Sequence, residues 1–165
     1  MDIFWEELTV GLPDTRQLIR VIIRLLAAIL LGAIVGINRE KVGKPAGLRT
    51  HVLVSLGTAV FVLACSSVGM SLDGLSRVIQ GIVTGIGFIG AGSILKLTEE
   101  QDIQGLTTAA GIWMTAAIGV SVGLGSLGLA LLSTIFTLLI LALAGPLEST
   151  SNKEQKKKVE DPNND

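Results

Sequence analysis

The sequence has no tyrosine, and aromatic residues make up only 4% of it, while its apolar runs are continuous rather than alternating. A transmembrane β-barrel needs alternating strands and girdles of aromatic residues, so this composition excludes that class. The single cysteine, Cys65, excludes an intrachain disulfide. Because Cys65 lies in an apolar run, we expect it to be a small buried core residue.

Charged residues are also scarce, at 16%, and they are clustered, so long uncharged runs remain between them. The mean hydropathy of +0.65 is too high for an ordinary soluble domain. Uncharged runs of about 20 residues are the length that crosses a bilayer as a helix. The sequence therefore predicts an all-α, polytopic membrane helix bundle with about five transmembrane helices.

The predicted transmembrane domain covers 18–145, with spans at about 18–37, 51–70, 78–95, 106–122 and 126–144. The last two come from one uncharged run between Gly105 and Gly145. One helix of that length would be about 60 Å long, twice the hydrocarbon thickness, so the run must cross twice. We place the break at 123–126 and expect Pro146 to end the last helix. An external interfacial segment is predicted at 1–17, a short polar link at 71–77, and a disordered charged cytoplasmic tail at 146–165.

Basic residues predict the orientation. With five spans, one side of the membrane receives nine of them: Arg39, Lys41, Lys44, Arg49, Lys96, Lys153, Lys156, Lys157 and Lys158. Arg16, Arg77 and Arg20 fall on the other side, and Arg24 lies within the first span. The positive-inside rule therefore predicts that the N-terminus lies outside and the C-terminus in the cytoplasm.

The charged connection between the first two spans, NREKVGKPAGLRTH at 38–51, holds the first candidate site residues. They are Arg39, Glu40, Arg49, Thr50 and His51. A connection of this length can fold back, so Glu40 is able to reach Arg49 or the N–H groups near Thr50. The sequence allows two hypotheses: the connection forms a packed functional site, or it serves only as an orientation signal.

A possible parallel repeat extends this site. At an offset of 58 residues, GLRT at 47–50 aligns with GLTT at 105–108, which adds Thr107 and Thr108 to the candidates. If the repeat is real, two helix N-termini meet at the cytoplasmic face. Together they favour binding of an anionic group, either of a ligand or of the Glu40 side chain. In the alternative, Thr50 and Thr108 only cap helices and Arg49 only marks the inside.

Arg24 is the remaining charged candidate. It lies one turn deeper in the first span than Arg20, on the same helix face. It either snorkels towards the surface or faces the bundle interior and pairs with an acid or an anion.

Glycine is abundant, with 20 residues, which in membrane helices indicates close helix contacts. Gly32 with Gly36, and Gly81 with Gly85, form small-xxx-small pairs. We predict helix packing at these four residues and at Gly90 and Gly92.

Groups for chemistry are few. His51 is the only histidine, and acidic residues are scarce within the spans, so no metal site and no dehydrated magnesium cage is expected. No nucleotide-binding motif and no nucleophile–base pair is evident. We therefore expect neither enzymatic activity nor a cofactor, and no nucleic-acid partner.

Several ungapped blocks resemble the MgtC/SapB family of bacterial membrane proteins. They are 36–40, 46–51 and 54–57, then RVIQGIVTGIGFIGAGS at 77–93 and GLTTAAGIWMTAAIG at 105–119. The resemblance covers roughly 20–145 and implies a multi-pass protein of the bacterial inner membrane. It also implies a role in magnesium limitation or stress adaptation, and F-type ATP synthase as one partner. Members of the better-studied branch carry a C-terminal ACT-type domain, which we expect to be absent here because only about twenty residues follow Gly145.

Two functions from different classes remain open at this point. The first is a non-enzymatic regulator that lies among membrane lipids. It binds other membrane proteins, or a second copy of itself, through helix–helix contacts. The second is a small oligomeric transporter or channel for an ion or small solute.

Overall fold

The structure is a computed structural model that describes residues 14–97 and 102–160. Its elements, in chain order, are α1 Thr15–Lys41, α2 Leu48–Ser67, α3 Leu72–Gly92, β1 Leu95–Leu97, β2 Asp102–Gln104, α4 Leu106–Gly123 and α5 Leu127–Glu160. Helices α1 to α4 are long and apolar enough to cross a membrane, and α5 begins with a shorter apolar stretch, Leu127–Leu143. The predicted all-α membrane helix bundle is confirmed. Strands β1 and β2 pair antiparallel between α3 and α4.

Helix α4 lies at the centre of the bundle, because it contacts each of the other four helices. Helix α2 packs closely against both α1 and α4, whereas α3 contacts α4 and touches α2 only weakly. The core is built mainly from small and β-branched side chains: Ala28, Leu31, Val35, Ala59, Ile118, Val122 and Ala130. Such side chains let helices approach closely, which is how membrane helices gain packing energy.

Helix α3 begins earlier than the sequence suggested. Ser71 is its N-cap and accepts a hydrogen bond from the Gly74 N–H at 3.2 Å. Asp73 and Arg77 then form an i,i+4 ion pair at 2.8 Å on its exposed side. The predicted polar link at 71–77 is therefore wrong: most of it is the first turns of α3, because a serine cap and an i,i+4 pair both favour a helix there.

Helix α5 begins where the sequence predicts, but it does not end there. The break at 123–126 is confirmed, with Gly125 in the left-handed region at φ +83°. Pro146 does not end the helix, which runs on to Glu160. Proline removes one backbone hydrogen bond, but the Glu, Gln and Lys residues that follow it favour helix. Of the predicted interfacial segment, 1–13 lies outside the described residues, and Thr15–Gln17 belong to α1.

Candidate functional site

One end of the bundle carries the connection from α1 to α2, with Arg39, Lys41, Lys44 and Arg49; we call it the basic end. There, Glu40 Oε2 accepts a hydrogen bond from the Leu48 N–H at 2.9 Å. Gly47, the N-cap of α2, has no side chain to satisfy that group. A carboxylate at a helix N-terminus also interacts favourably with the helix dipole. Of the two partners that the sequence allows for Glu40, Arg49 or the N–H groups near Thr50, the structure places a backbone N–H at the start of α2 against it.

Two glycines of α1 allow α2 to begin so close to it. A β-carbon on Gly36 would lie 2.6 Å from the Leu48 Cα, and one on Gly32 would lie 2.8 Å from the His51 carbonyl oxygen. No real β-carbon tolerates such distances to backbone atoms, so only glycine fits at either position. This small-xxx-small pair therefore lies at a close contact between α1 and α2.

Behind this contact lies a set of buried polar residues that we call the buried polar cluster: Arg39, His51, Ser55, Thr58, Thr108 and Thr115. They come from α1, α2 and α4. His51 Nδ1 lies 2.7 Å from the Thr115 Oγ1. The Thr115 hydroxyl donates to the Gly111 carbonyl at 2.9 Å, so the hydroxyl accepts and the Nδ1–H of His51 donates. The imidazole is therefore fixed between two helices.

Two further members of the cluster show how tightly it is closed. The Thr58 hydroxyl donates to backbone carbonyls of its own helix, Val54 at 2.9 Å and Ser55 at 3.1 Å. The Ser55 hydroxyl is fully buried and has no hydrogen-bond partner among the described residues. His51, Ser55 and Thr115 all have 0% exposed area. The cluster thus holds α2 against α4 and has no exposed group for a substrate to reach.

The structure brings only some of the predicted site residues together. Arg39, His51 and Thr108 are buried in the cluster, while Thr50 and Thr107 are half-buried. Glu40 and Arg49 are exposed, and no ion pair joins them, because Glu40 binds the Leu48 N–H instead. Sequence reasoning missed Ser55, Thr58 and Thr115. The available signal was spacing: Ser55 follows His51 by four residues and therefore shares its helix face.

The donor set also bears on metal binding. Among the described residues, no three His, Cys, Asp or Glu side chains converge. The buried polar cluster offers one imidazole and several hydroxyls, which is a poor set for zinc and lacks the carboxylates that hold magnesium.

Arg24 lies at the opposite end of the bundle from the cluster. Its Nη1 donates to the carbonyl of Gly123, in the last turn of α4, at 2.9 Å. The guanidinium also lies against Gly125, in the turn that leads to α5. A cation at a helix C-terminus satisfies an otherwise unpaired carbonyl and complements the dipole. Arg24 therefore caps α4 instead of facing an acid inside the bundle.

We expect Arg24→Leu to destabilise the bundle by about 1–3 kcal/mol, because the buried Gly123 carbonyl loses its donor. Arg24→Lys should recover part of that loss, since lysine keeps the charge but not the fork of donors. Thermal unfolding in mild detergent measures both. Arg20→Leu, an exposed position one turn away, is the control. Equal stability of the Arg24→Leu and Arg20→Leu proteins would contradict the capping role.

The other predicted packing glycines divide into two groups. A β-carbon on Gly90 would make an ordinary contact, 3.6 Å from the Ala109 Cβ. At Gly81, Gly85 and Gly92 it would meet nothing within 4 Å, so these three glycines make no close helix contact among the described residues. The reason is the peripheral place of α3: 11% of its apolar stretch is buried, against 50% in α4. Gly119 and Gly123 of α4, which sequence reasoning did not single out, make close contacts with α2 instead.

Two of these open glycines, Gly81 and Gly85, line a depression between α2 and α3 with a volume of about 610 Å³, which we call the α2–α3 groove. From α2 it is lined by Leu53, Gly57 and Phe61, and from α3 by Gly81, Gly85 and Ile89, among others. Its walls are almost entirely apolar, and a β-carbon on Gly57 would also meet nothing within 4 Å. Backbone is therefore accessible along both sides of the groove.

Comparison with known proteins identifies similar chains. The model of the MgtC family matches residues 25–150. Protein SrpB of Synechococcus elongatus is 45% identical over 130 residues, which are 72% of this chain and 71% of that one. The protein named "Putative magnesium transporter YhiD" in Escherichia coli K12 is 53% identical over 129 residues, 73% of this chain and 58% of its own length. Protein MgtC of Salmonella typhimurium LT2 is 49% identical over 117 residues, 71% of this chain and 49% of that one. No solved structure matches.

Proposed function

The chain belongs to the MgtC family of membrane proteins, and from this premise we propose that it is a non-enzymatic, multi-pass protein of the bacterial inner membrane that binds other membrane proteins. The observation that supports this most is the α2–α3 groove. A membrane helix has no hydrophobic drive to leave lipid, so it associates where small residues let backbones approach. Gly57, Gly81 and Gly85 provide such a surface, and the described helices leave it unfilled.

The occupant of the groove is, on this proposal, one transmembrane helix of a partner protein. The groove runs along α2 and α3 over several turns, from Leu53 to Phe61 on one wall and from Ile89 to Val78 on the other. An apolar helix with small residues of its own fits such a channel. The family resemblance makes F-type ATP synthase the first partner to look for, in cells limited for magnesium.

The buried polar cluster argues for a structural part in this function. Its imidazole and hydroxyls are closed off and fix α2 against α4. A nucleophile–base pair must be reached by substrate, and the His51–Thr115 pair is not. The cluster therefore keeps α2 in place as one wall of the groove.

Magnesium transport is the second candidate, favoured by the name of the YhiD relative. The chain aligns with only 58% of that protein and 49% of MgtC, so their whole activities do not pass to it directly. A conducting path needs polar groups that face a water-filled cavity. The α2–α3 groove is apolar, so we expect proteoliposomes of this chain to take up magnesium no faster than empty vesicles. Saturable uptake by the purified chain would favour the transporter instead.

Partner binding is predicted to depend on Gly85. A leucine there occupies the α2–α3 groove, and because a β-carbon at Gly85 meets nothing within 4 Å, we expect folding to be unchanged. We expect recovery of the partner in affinity purification from mild detergent to fall about tenfold or more, since the close backbone approach is lost. Val83→Leu is the matched control, because it adds bulk to an exposed position of α3 away from the groove. Equal recovery with both variants would contradict groove binding.

A further inference from the structure

Helix α3 carries a second unusual face. On this face, each residue follows the previous one by four or three positions in turn. All of these residues are exposed, and none has a large apolar side chain. At about 100° per residue they fall on one stripe of the helix. We call this stripe the α3 seam: Asp73, Arg77, Gln80, Thr84, Gly87 and Ala91.

The α3 seam is separate from the surfaces described so far. The side of α3 that faces α4 holds the buried Ile86 and Gly90, which approaches Ala109. The α2–α3 groove uses a third side, with Gly81 and Gly85. The seam is therefore a face of α3 that none of the described helices covers.

Gln80 is the most informative residue of the α3 seam. It lies about 12 Å along the helix from Leu72, within a helix that is long and apolar enough to cross a membrane. Its backbone carbonyl accepts from the Thr84 hydroxyl at 2.9 Å, but its exposed amide side chain has no hydrogen bond within the described chain. An amide that faces hydrocarbon without a partner costs several kcal/mol in general, so a partner is expected in the membrane.

We propose that the α3 seam pairs with the α3 seam of a second copy of this chain. Both copies have the same topology, so a two-fold axis along the membrane normal places each residue at the same depth as itself. A glutamine amide is both donor and acceptor, and two of them facing each other satisfy one another. The chemistry of Gln80 is thus self-complementary.

The rest of the α3 seam supports the same occupant. Asp73 and Arg77, paired within one helix at 2.8 Å, can exchange partners across the axis and form two equivalent ion pairs. Thr84 is small, and Gly87 and Ala91 let the two backbones approach. The alternation of four and three residues is the repeat of left-handed helix pairs that cross at about +20°. A different protein would need an acid, a base and an amide at matching depths, which a second copy has by symmetry.

Cysteine cross-linking in native membranes tests this pairing. In a Cys65→Ala background, Thr84→Cys reports on the α3 seam and leaves Gln80 in place, while Ile89→Cys reports on the α2–α3 groove side of the same helix. On mild oxidation we expect rapid formation of disulfide-linked dimers at position 84 and little at position 89. Adding Gln80→Leu to the Thr84→Cys chain should lower the dimer fraction about three- to tenfold. The monomer fold should be unchanged, because the Gln80 side chain has no bond to lose.

Three results would overturn the proposal. They are equal cross-linking at positions 84 and 89, an unchanged dimer fraction with Gln80→Leu, and adducts at position 84 that contain only another protein. Because the seam and the groove lie on different sides of α3, loss of partner binding in Gly85→Leu membranes leaves the cross-link at position 84 intact.

Discussion

Replacing Gly119 by leucine is expected to leave almost no folded protein. A β-carbon at this position of α4 would overlap the Thr58 hydroxyl and the Ser55 carbonyl of α2. The Ser55 carbonyl is backbone, so relief requires α2 and α4 to separate, and this contact is the centre of the bundle. Overpacking costs about 1–3 kcal/mol where side chains can adjust, and more is expected where they cannot. The yield of monodisperse protein in mild detergent measures the effect.

The matched control is Gly85→Leu, which makes the same chemical change where a β-carbon meets nothing within 4 Å. It should give a normal yield. Both glycines lie in transmembrane helices, so a general intolerance of leucine would lower both yields together. A normal yield of the Gly119→Leu protein would contradict the close α2–α4 contact.

Replacing His51 by alanine is the second change with a large expected effect. The imidazole is fully buried, so its removal leaves a cavity and takes the hydrogen bond from Thr115. Large-to-small changes at buried sites cost about 2–5 kcal/mol. We therefore expect a clearly lower unfolding midpoint in detergent. Arg49→Ala, two residues away on the same helix but exposed, should unfold like the unchanged protein.

A double-mutant cycle separates the hydrogen bond from the cavity. Thr115→Val keeps the volume but leaves the Nδ1–H of His51 without an acceptor, which costs about 1–3 kcal/mol. If the pair is the link between α2 and α4, the double variant should be less destabilised than the sum of the two single variants. Additive effects would mean that His51 acts by packing alone.

The fold could be predicted from the sequence in most respects, because hydrophobic length and charge clustering decide membrane spans. The break before α5 is an example, since 41 uncharged residues cannot form one crossing. The exceptions were at helix ends. The polar residues at 71–77 resemble a link in composition, but Ser71 caps a helix and Asp73 pairs with Arg77 within it. Pro146 resembles a stop, yet good helix formers follow it.

The candidate site was predicted less completely. Glu40 could be placed on the next helix start because a short connection between antiparallel helices limits where it can reach. Arg24 could not be placed, since its partner is the Gly123 carbonyl, 99 residues away, and a backbone group leaves no mark in the sequence. The glycines show the same limit. Gly32 and Gly85 sit in identical small-xxx-small patterns, but only the position of the neighbouring helix decides which is packed and which is open.

The central claim is that the α2–α3 groove binds a helix of another membrane protein. A photoreactive amino acid placed at position 85, and in a second strain at position 83, tests it most directly in growing cells. We expect a discrete adduct with a second, different membrane protein from position 85 and none from position 83, since only a side chain at position 85 points into the groove. Identical adducts from both positions, or adducts with lipid alone, would contradict it.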